Sequence, residues 1–292
     1  MIYTIKDKNT TISISSNGGE LKGFNISGKD YMHDANPKYW GRTAPNLFPN
    51  IGTIKDGYVI IDNEKYPFVK HGFLRDTEMV LESKSENSIT FSLRSNEETL
   101  KKYPYKFYLS ISYTINDNEL TCRINVTNKD KKPIYFNFGL HPAFKVPWND
   151  NEIFEDYKIQ FEEPINSNLP TVLLDNGLID WNKTIKVFNN INEIKLNHED
   201  YCNDALCIDP HPKGVIKLIS PSNESIELFA PEFKTLGIWT PYPTKAPFIC
   251  LEPWIGCADN PESNNQFLNK KDLIKLDVNE IWLTTYQIKI NG

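Results

Sequence analysis

The chain has almost no helical periodicity, no apolar run long enough to cross a bilayer, and no surplus of positive charge. Each shortage removes a class of protein. Without apolar stretches of about 20 residues there is no helical membrane span, and the opening Met1-Ile-Tyr-Thr-Ile-Lys-Asp-Lys lacks the apolar centre of a signal peptide, so a cytoplasmic protein is expected. A net charge of −6 disfavours nucleic acid as the main partner, because phosphate binding needs a positive surface. Cysteine is scarce as well. Cys122, Cys202, Cys207, Cys250 and Cys257 are odd in number and show no C-x-x-C spacing, which indicates neither a disulfide framework nor a zinc knuckle. No cofactor or metal is called for, and neutral small molecules fit this composition best.

What the chain does have is alternation. Phe107, Leu109, Ile111, Tyr113 and Ile115 alternate with polar residues, Asn116-Asp117-Asn118 turns the chain, and Leu120, Cys122, Ile124 and Val126 alternate again. That pattern predicts an antiparallel hairpin with one wet face. Thr11–Ser16, the Gly57–Phe68 hairpin, Met79–Leu81, Ile89–Leu93, Val215–Ile219, Ser225–Phe229, Gly237–Thr240, Phe248–Glu252 and Ile281–Ile290 read as further strands. One short helix is expected at Glu97–Lys102, ended by Pro104. Many short strands with no flexible linker predict an all-β fold, a sandwich or barrel formed as one domain over residues 1–292. Between them, Trp40 to Gly52 is broken by Gly and Pro and reads as a long loop folded against something specific.

Chemistry-bearing residues are few enough to weigh singly. Phe248-Ile-Cys-Leu-Glu252-Pro-Trp254 sets one acid in an apolar run; in a half-buried strand Glu252 would share a face with Cys250 and Trp254. A desolvated carboxyl beside an indole suits a sugar, the acid exchanging a proton with a hydroxyl and the ring packing on C–H groups. The plainer reading is a Glu satisfied by a buried Arg or by backbone N–H groups. Among five histidines, His71 opens a tight His-Gly-Phe turn, and His141 is held extended by Pro142 between phenylalanines. His33, His198 and His211 lie in polar or turn-rich settings with no such signal. Asp204 reads locally as a turn residue and as a second acid candidate. Arg42 and Arg75 could anchor an anion or pair with Asp34 or Asp76.

Taken in order, Ala44-Pro-Asn-Leu-Phe-Pro-Asn-Ile-Gly52, His71-Gly-Phe-Leu-Arg75, Phe138-Gly-Leu-His141-Pro-Ala-Phe144, Trp239-Thr-Pro and Cys250-Leu-Glu252-Pro-Trp254 resemble the aldose 1-epimerase (galactose mutarotase) family, in particular its LacX-like branch. The resemblance runs over nearly the whole chain. It implies a large antiparallel β-sandwich with an open sugar cleft and roles for three residues. Glu252 would be the base at the anomeric hydroxyl, His141 the acid at the ring oxygen, and His71 a hydrogen-bond partner of the sugar. It also implies sugar contacts from Asp204, Arg75 and Asn50, with Phe73, Trp239 or Trp254 as stacking surfaces. Such a protein would work on a small-molecule sugar as a monomer or homodimer.

Two departures keep alternatives open. Pro49-Asn50-Ile51 stands where better-known galactose mutarotases carry Asn-Arg-Ile, so a sugar-contacting arginine has no counterpart. The His-Gly-Phe-x-Arg form is similar to the hexose-6-phosphate mutarotase branch, which leaves a phosphosugar substrate open. Two readings of other classes remain: a catalytically silent carbohydrate-binding sandwich, and a metal site built from His71, His141 and Glu252.

Overall fold

Alternating apolar residues need two sheets to bury them, and two main antiparallel sheets supply this. The computed structural model describes residues 1–292, of which 51% are in strands and 7% in helices, so the fold is mostly β. The larger sheet has nine strands. In spatial order they are Ile179–Lys195, Lys158–Val172, Ile216–Ile219, Ser225–Phe229, Ile281–Asn291, Glu119–Asn128, Phe107–Asn116, Ser88–Arg94 and Val80–Lys84. The expected central hairpin forms with Ile111 opposite Ile124 and Tyr113 opposite Cys122, and its inward residues are fully buried.

The second sheet carries Leu206–Ile208, Thr235–Trp239, Phe248–Ile255, Phe138–Leu140 and Asn46–Leu47 in that order, with Ala143–Lys145 also paired to Phe248–Ile255. Its two faces do different things. Ile249, Leu251, Ile255, Leu236, Ile238, Leu206 and Ile208 point into the main core of 65 buried residues, which runs from Ile5 to Ile290. Cys250, Trp254 and Cys207 alternate with them on the opposite face, in two smaller clusters. The main core takes up most of the apolar alternation; the outer face floors a cleft.

Three details differ from expectation. All eight residues of Phe248–Ile255 are buried, so that strand is covered on both faces instead of being half-buried. The two longest strands, Lys158–Val172 and Ile179–Lys195, gave no clear alternation because their pairing shifts register at several points and much of one edge is exposed. The helix at Glu97–Leu100 is a single turn, capped by Asn96 through the backbone N–H groups of Glu98 and Thr99.

The Trp40–Gly52 loop is held from outside. Buried Glu20 accepts hydrogen bonds from the backbone N–H groups of Thr43 and Ala44, and Asn46 donates to the carbonyls of Gly18 and Gly19. Gly72, at φ +71°, lies against Phe48, whose carbonyl oxygen would be 2.1 Å from a Cβ placed there. Only glycine tolerates both the left-handed backbone and that approach. Gly72→Ala should therefore destabilise the fold by at least roughly 2 kcal/mol, read from a lower denaturation midpoint at an unchanged denaturant slope.

Candidate functional site

Glu252 and His141 meet because of strand register. Phe138 and Gly139 pair with Ile255 and Trp254, and Ala143 to Lys145 pair with Cys250 to Phe248. The two stretches keep one register on either side of Pro142, which places His141 across from Glu252. Pro142 has no N–H to give, but its carbonyl accepts from the Leu251 N–H at 3.2 Å, so the register carries through and alternation puts the His141 ring on the cleft face with Glu252. The result is a close pair, with His141 Nε2 lying 3.1 Å from Glu252 Oε2 and both residues almost wholly buried.

Burial acts on the two groups in opposite directions. It pushes the Glu252 carboxyl well above its usual range, helped by the neighbouring Asp204 carboxylate. It pushes the His141 imidazole well below its usual range, helped by the cations Lys70 and Arg75. Both shifts favour the uncharged arrangement, a protonated carboxyl facing a neutral imidazole. A carboxylate facing an imidazolium holds the same number of protons, so the two arrangements differ only in which group carries the proton.

His71 adds a fixed donor. Its backbone sits at φ +67°, and its Nδ1 accepts a hydrogen bond from the Gly52 N–H at 3.1 Å. That bond assigns the remaining proton to Nε2. Burial and the nearby His141 hold the ring neutral. The His71 and His141 rings are 5.6 Å apart, edge to face.

These groups line a cavity of about 330 Å³, a size suited to a small polar ligand. Arg75, Asp204, Trp239 and Trp254 share the lining. Trp254 lies against Gly237 and Gly139, where added Cβ atoms would come within 2.6 and 2.9 Å of the indole. The missing side chains let the ring lie flat against the sheet. Two unsatisfied polar atoms, Glu252 Oε2 and Trp254 Nε1, belong to this floor. Asp204 stands on a turn at φ +69° and is partly exposed in the cleft.

Two residues named from the sequence are elsewhere. Phe73 packs in the main core against Phe48, Tyr103 and Phe107 and does not reach the cleft. Asn50 is fully buried outside the cleft, donating to the carbonyls of Gly52 and Val69, and so ties the Trp40–Gly52 loop to the segment bearing His71. Arg42 pairs with Asp76 at 2.7 Å and donates to the Arg75 carbonyl, as scaffold. His33, His198 and His211 are buried and hydrogen-bonded away from the cleft. The convergent metal-type ligands are His141, Cys250 and Glu252; His71 is not among them.

Among the cleft residues that sequence reasoning passed over, an indole and a cation stand out. Trp40 stacks on the His141 ring at 4.5 Å and meets Trp239 edge-on at 5.7 Å. Lys70, next to His71, is exposed at the cleft and makes no ion pair. A tryptophan in a Gly/Pro-broken loop was the available signal for the first; an isolated surface lysine carries none.

The profile of the aldose 1-epimerase family matches residues 1–272. The plasmid-borne protein LacX of Lactococcus lactis subsp. lactis is 31% identical over 284 residues, covering 94% of this chain and 95% of its own. A galactose mutarotase related enzyme from Lactobacillus acidophilus superposes with a TM-score of 0.94 at 28% identity, covering 100% of this chain and 98% of its own. A galactose mutarotase-like protein from Lactobacillus casei gives 0.90 at 27% identity, with full coverage of both chains. By its cleft, its sheet order and these likenesses, the chain belongs to the aldose 1-epimerase family.

Proposed function

We propose that residues 1–292 act as one unit, a mutarotase that interconverts the α and β anomers of an aldose, with Glu252 as base and His141 as acid. The observation that carries this reading is the His141–Glu252 pair at 3.1 Å in a cleft that also offers His71 Nε2–H. Opening a hemiacetal requires one proton taken from the anomeric hydroxyl and one given to the ring oxygen. A pyranose seated in the cleft, with its anomeric hydroxyl toward Glu252 and its ring oxygen toward His141, meets both needs. Glu252, as carboxylate, takes the hydroxyl proton while imidazolium His141 protonates the ring oxygen, and the C1–O5 bond breaks to leave the free aldehyde. Rotation about C1–C2 and the reverse transfers close the ring on the other face.

Burial assists this direction of transfer. Ring opening converts an ion pair into a neutral carboxyl and a neutral imidazole, the arrangement that desolvation favours. His71 holds the ring oxygen or a neighbouring hydroxyl, Asp204 accepts from sugar hydroxyls, and the indoles of Trp239 and Trp254 pack on C–H faces.

A second reading, mutarotation of a phosphorylated aldose, has its own observation. Lys70 lines the cleft without an ion-pair partner, and Arg75, which donates to the Lys70 carbonyl at 2.8 Å and has Nε 3.6 Å from Asp76 Oδ2, lines it beside Lys70. The two cations would hold an anionic substituent. Accelerated equilibration of hexose 6-phosphates but not of free glucose or galactose, reduced by Lys70→Ala, would select this reading over the first.

Freshly dissolved glucose and galactose, followed by polarimetry, test the main proposal. Glu252→Gln should reduce the accelerated rate by about 10²–10⁴-fold while sugar binding, read by calorimetry, is largely kept. A near-normal rate would remove Glu252 from the base role, and unchanged binding in a wild type that accelerates no sugar would favour a binding module. His141→Ala should lose rate to a similar extent.

The pH profile has a worked sign. The working pair holds one proton. Acidification adds a second to an imidazole whose affinity for it is lowered, and alkalinisation removes the first from a carboxyl whose affinity is raised. The enzyme-dependent rate, corrected for the spontaneous reaction, should therefore stay flat through neutrality and fall only on the far acidic and far alkaline sides. A single midpoint near the ordinary histidine value would contradict this assignment.

A further inference from the structure

Cys250 has no part in that chemistry, yet it sits directly beneath it. It shares a face of its strand with Glu252, two residues on, and its sulfur lies with His141 and Glu252 in a group whose ligand atoms are all within 4.8 Å of one another. All three residues are buried, and Glu252 Oε2 has no hydrogen-bond partner. A carboxyl, an imidazole and a thiol on one side, with a cleft on the other, form a three-ligand set with an open fourth position once the thiol and carboxyl give up their protons. The Nε2–Oε2 separation of 3.1 Å already suits two ligands each about 2.0–2.1 Å from one ion, and the Cys250 sulfur lies within 4.8 Å of both.

We propose that His141, Cys250 and Glu252 bind one divalent cation of the zinc class when the cleft holds no sugar, and that this ion inhibits the enzyme by occupying both proton-transfer groups. Thiolate and imidazole together select a borderline-soft ion over magnesium or calcium. Binding is balanced by protons: the thiol and the carboxyl each release one as the metal–sulfur and metal–oxygen bonds form, and the imidazole gives its free lone pair. His141 Nδ1 has no hydrogen-bond partner to raise the ring's basicity, which makes the site weaker than a resident metal centre and the ion displaceable. The neighbouring thiol Cys207 lines the same cleft but is not one of the convergent ligands.

The test uses full-length protein carrying Cys202→Ser, which removes the exposed thiol. Zinc chloride titrated into it should bind with one-to-one stoichiometry. Cys250→Ala should weaken that binding at least roughly tenfold, whereas Cys207→Ala should leave it unchanged. Mutarotation without zinc should survive Cys250→Ala, and its inhibition by zinc should disappear. Should Cys250→Ala fail to fold, cobalt chloride added to the Cys202→Ser, Cys207→Ala protein still reports the bond through a thiolate-to-cobalt band in the near ultraviolet.

No such band, no zinc bound, or equal zinc affinity with and without Cys250 would overturn the proposal. The part concerning inhibition rests on the mutarotase reading, and the two fail separately. Zinc bound through Cys250 in a protein that accelerates no sugar would leave the site standing and remove the activity.

Discussion

The pairing of His141 with Glu252 depends on one backbone fact: two short stretches of chain run antiparallel to the same strand in a single register, with Pro142 between them. A change of one residue in that register would send the imidazole into the main core and leave a carboxyl alone in an apolar floor. Neither group tolerates burial by itself. Burial raises the proton affinity of the carboxyl and lowers that of the imidazole, so both groups favour their uncharged forms.

The rest of the fold keeps this pair in place and dry. One face of the smaller sheet is covered by the main core, which fixes the strand bearing Glu252 from behind. The cleft face is shaped by absences and by aromatic bulk. Gly139 and Gly237 make room for the Trp254 ring, while Trp40 stacks on His141 from a loop tied down by Glu20, Asn46 and Asn50. Val172, Gly177 and Ile179, at the end of the longest hairpin, close another side of the cavity. The larger sheet therefore supplies a wall as well as a support.

Charge is distributed unevenly around the cleft. The chain is acidic overall, yet Lys70 and Arg75 reach the cavity and depress the proton affinity of His141. A cation near an imidazole disfavours its charged form, so both residues act on His141 in the same direction as burial. Asp204 acts on Glu252 in the other sense and raises the proton affinity of its carboxyl. The two ends of the pair are thus tuned by different neighbours drawn from distant parts of the chain.

By itself the sequence determined the β class, the central hairpin from Phe107 to Val126, and the common face of Cys250, Glu252 and Trp254, because a period of two is a local property of the backbone. It also singled out His71 and His141, since a residue before proline or at a His-Gly turn is restricted by its immediate neighbours. Only the tertiary structure decided which of the named residues share a cavity. Phe73 and Asn50 carry the right chemistry beside the right motifs, yet one turns into the core and the other staples two loops. Trp40 and Lys70 reach the cleft from two separate loops with no periodicity to follow, and the irregular 158–195 hairpin gave no alternation to read. Contacts of that kind come from packing between segments far apart in the chain, and no local pattern encodes their distance or direction.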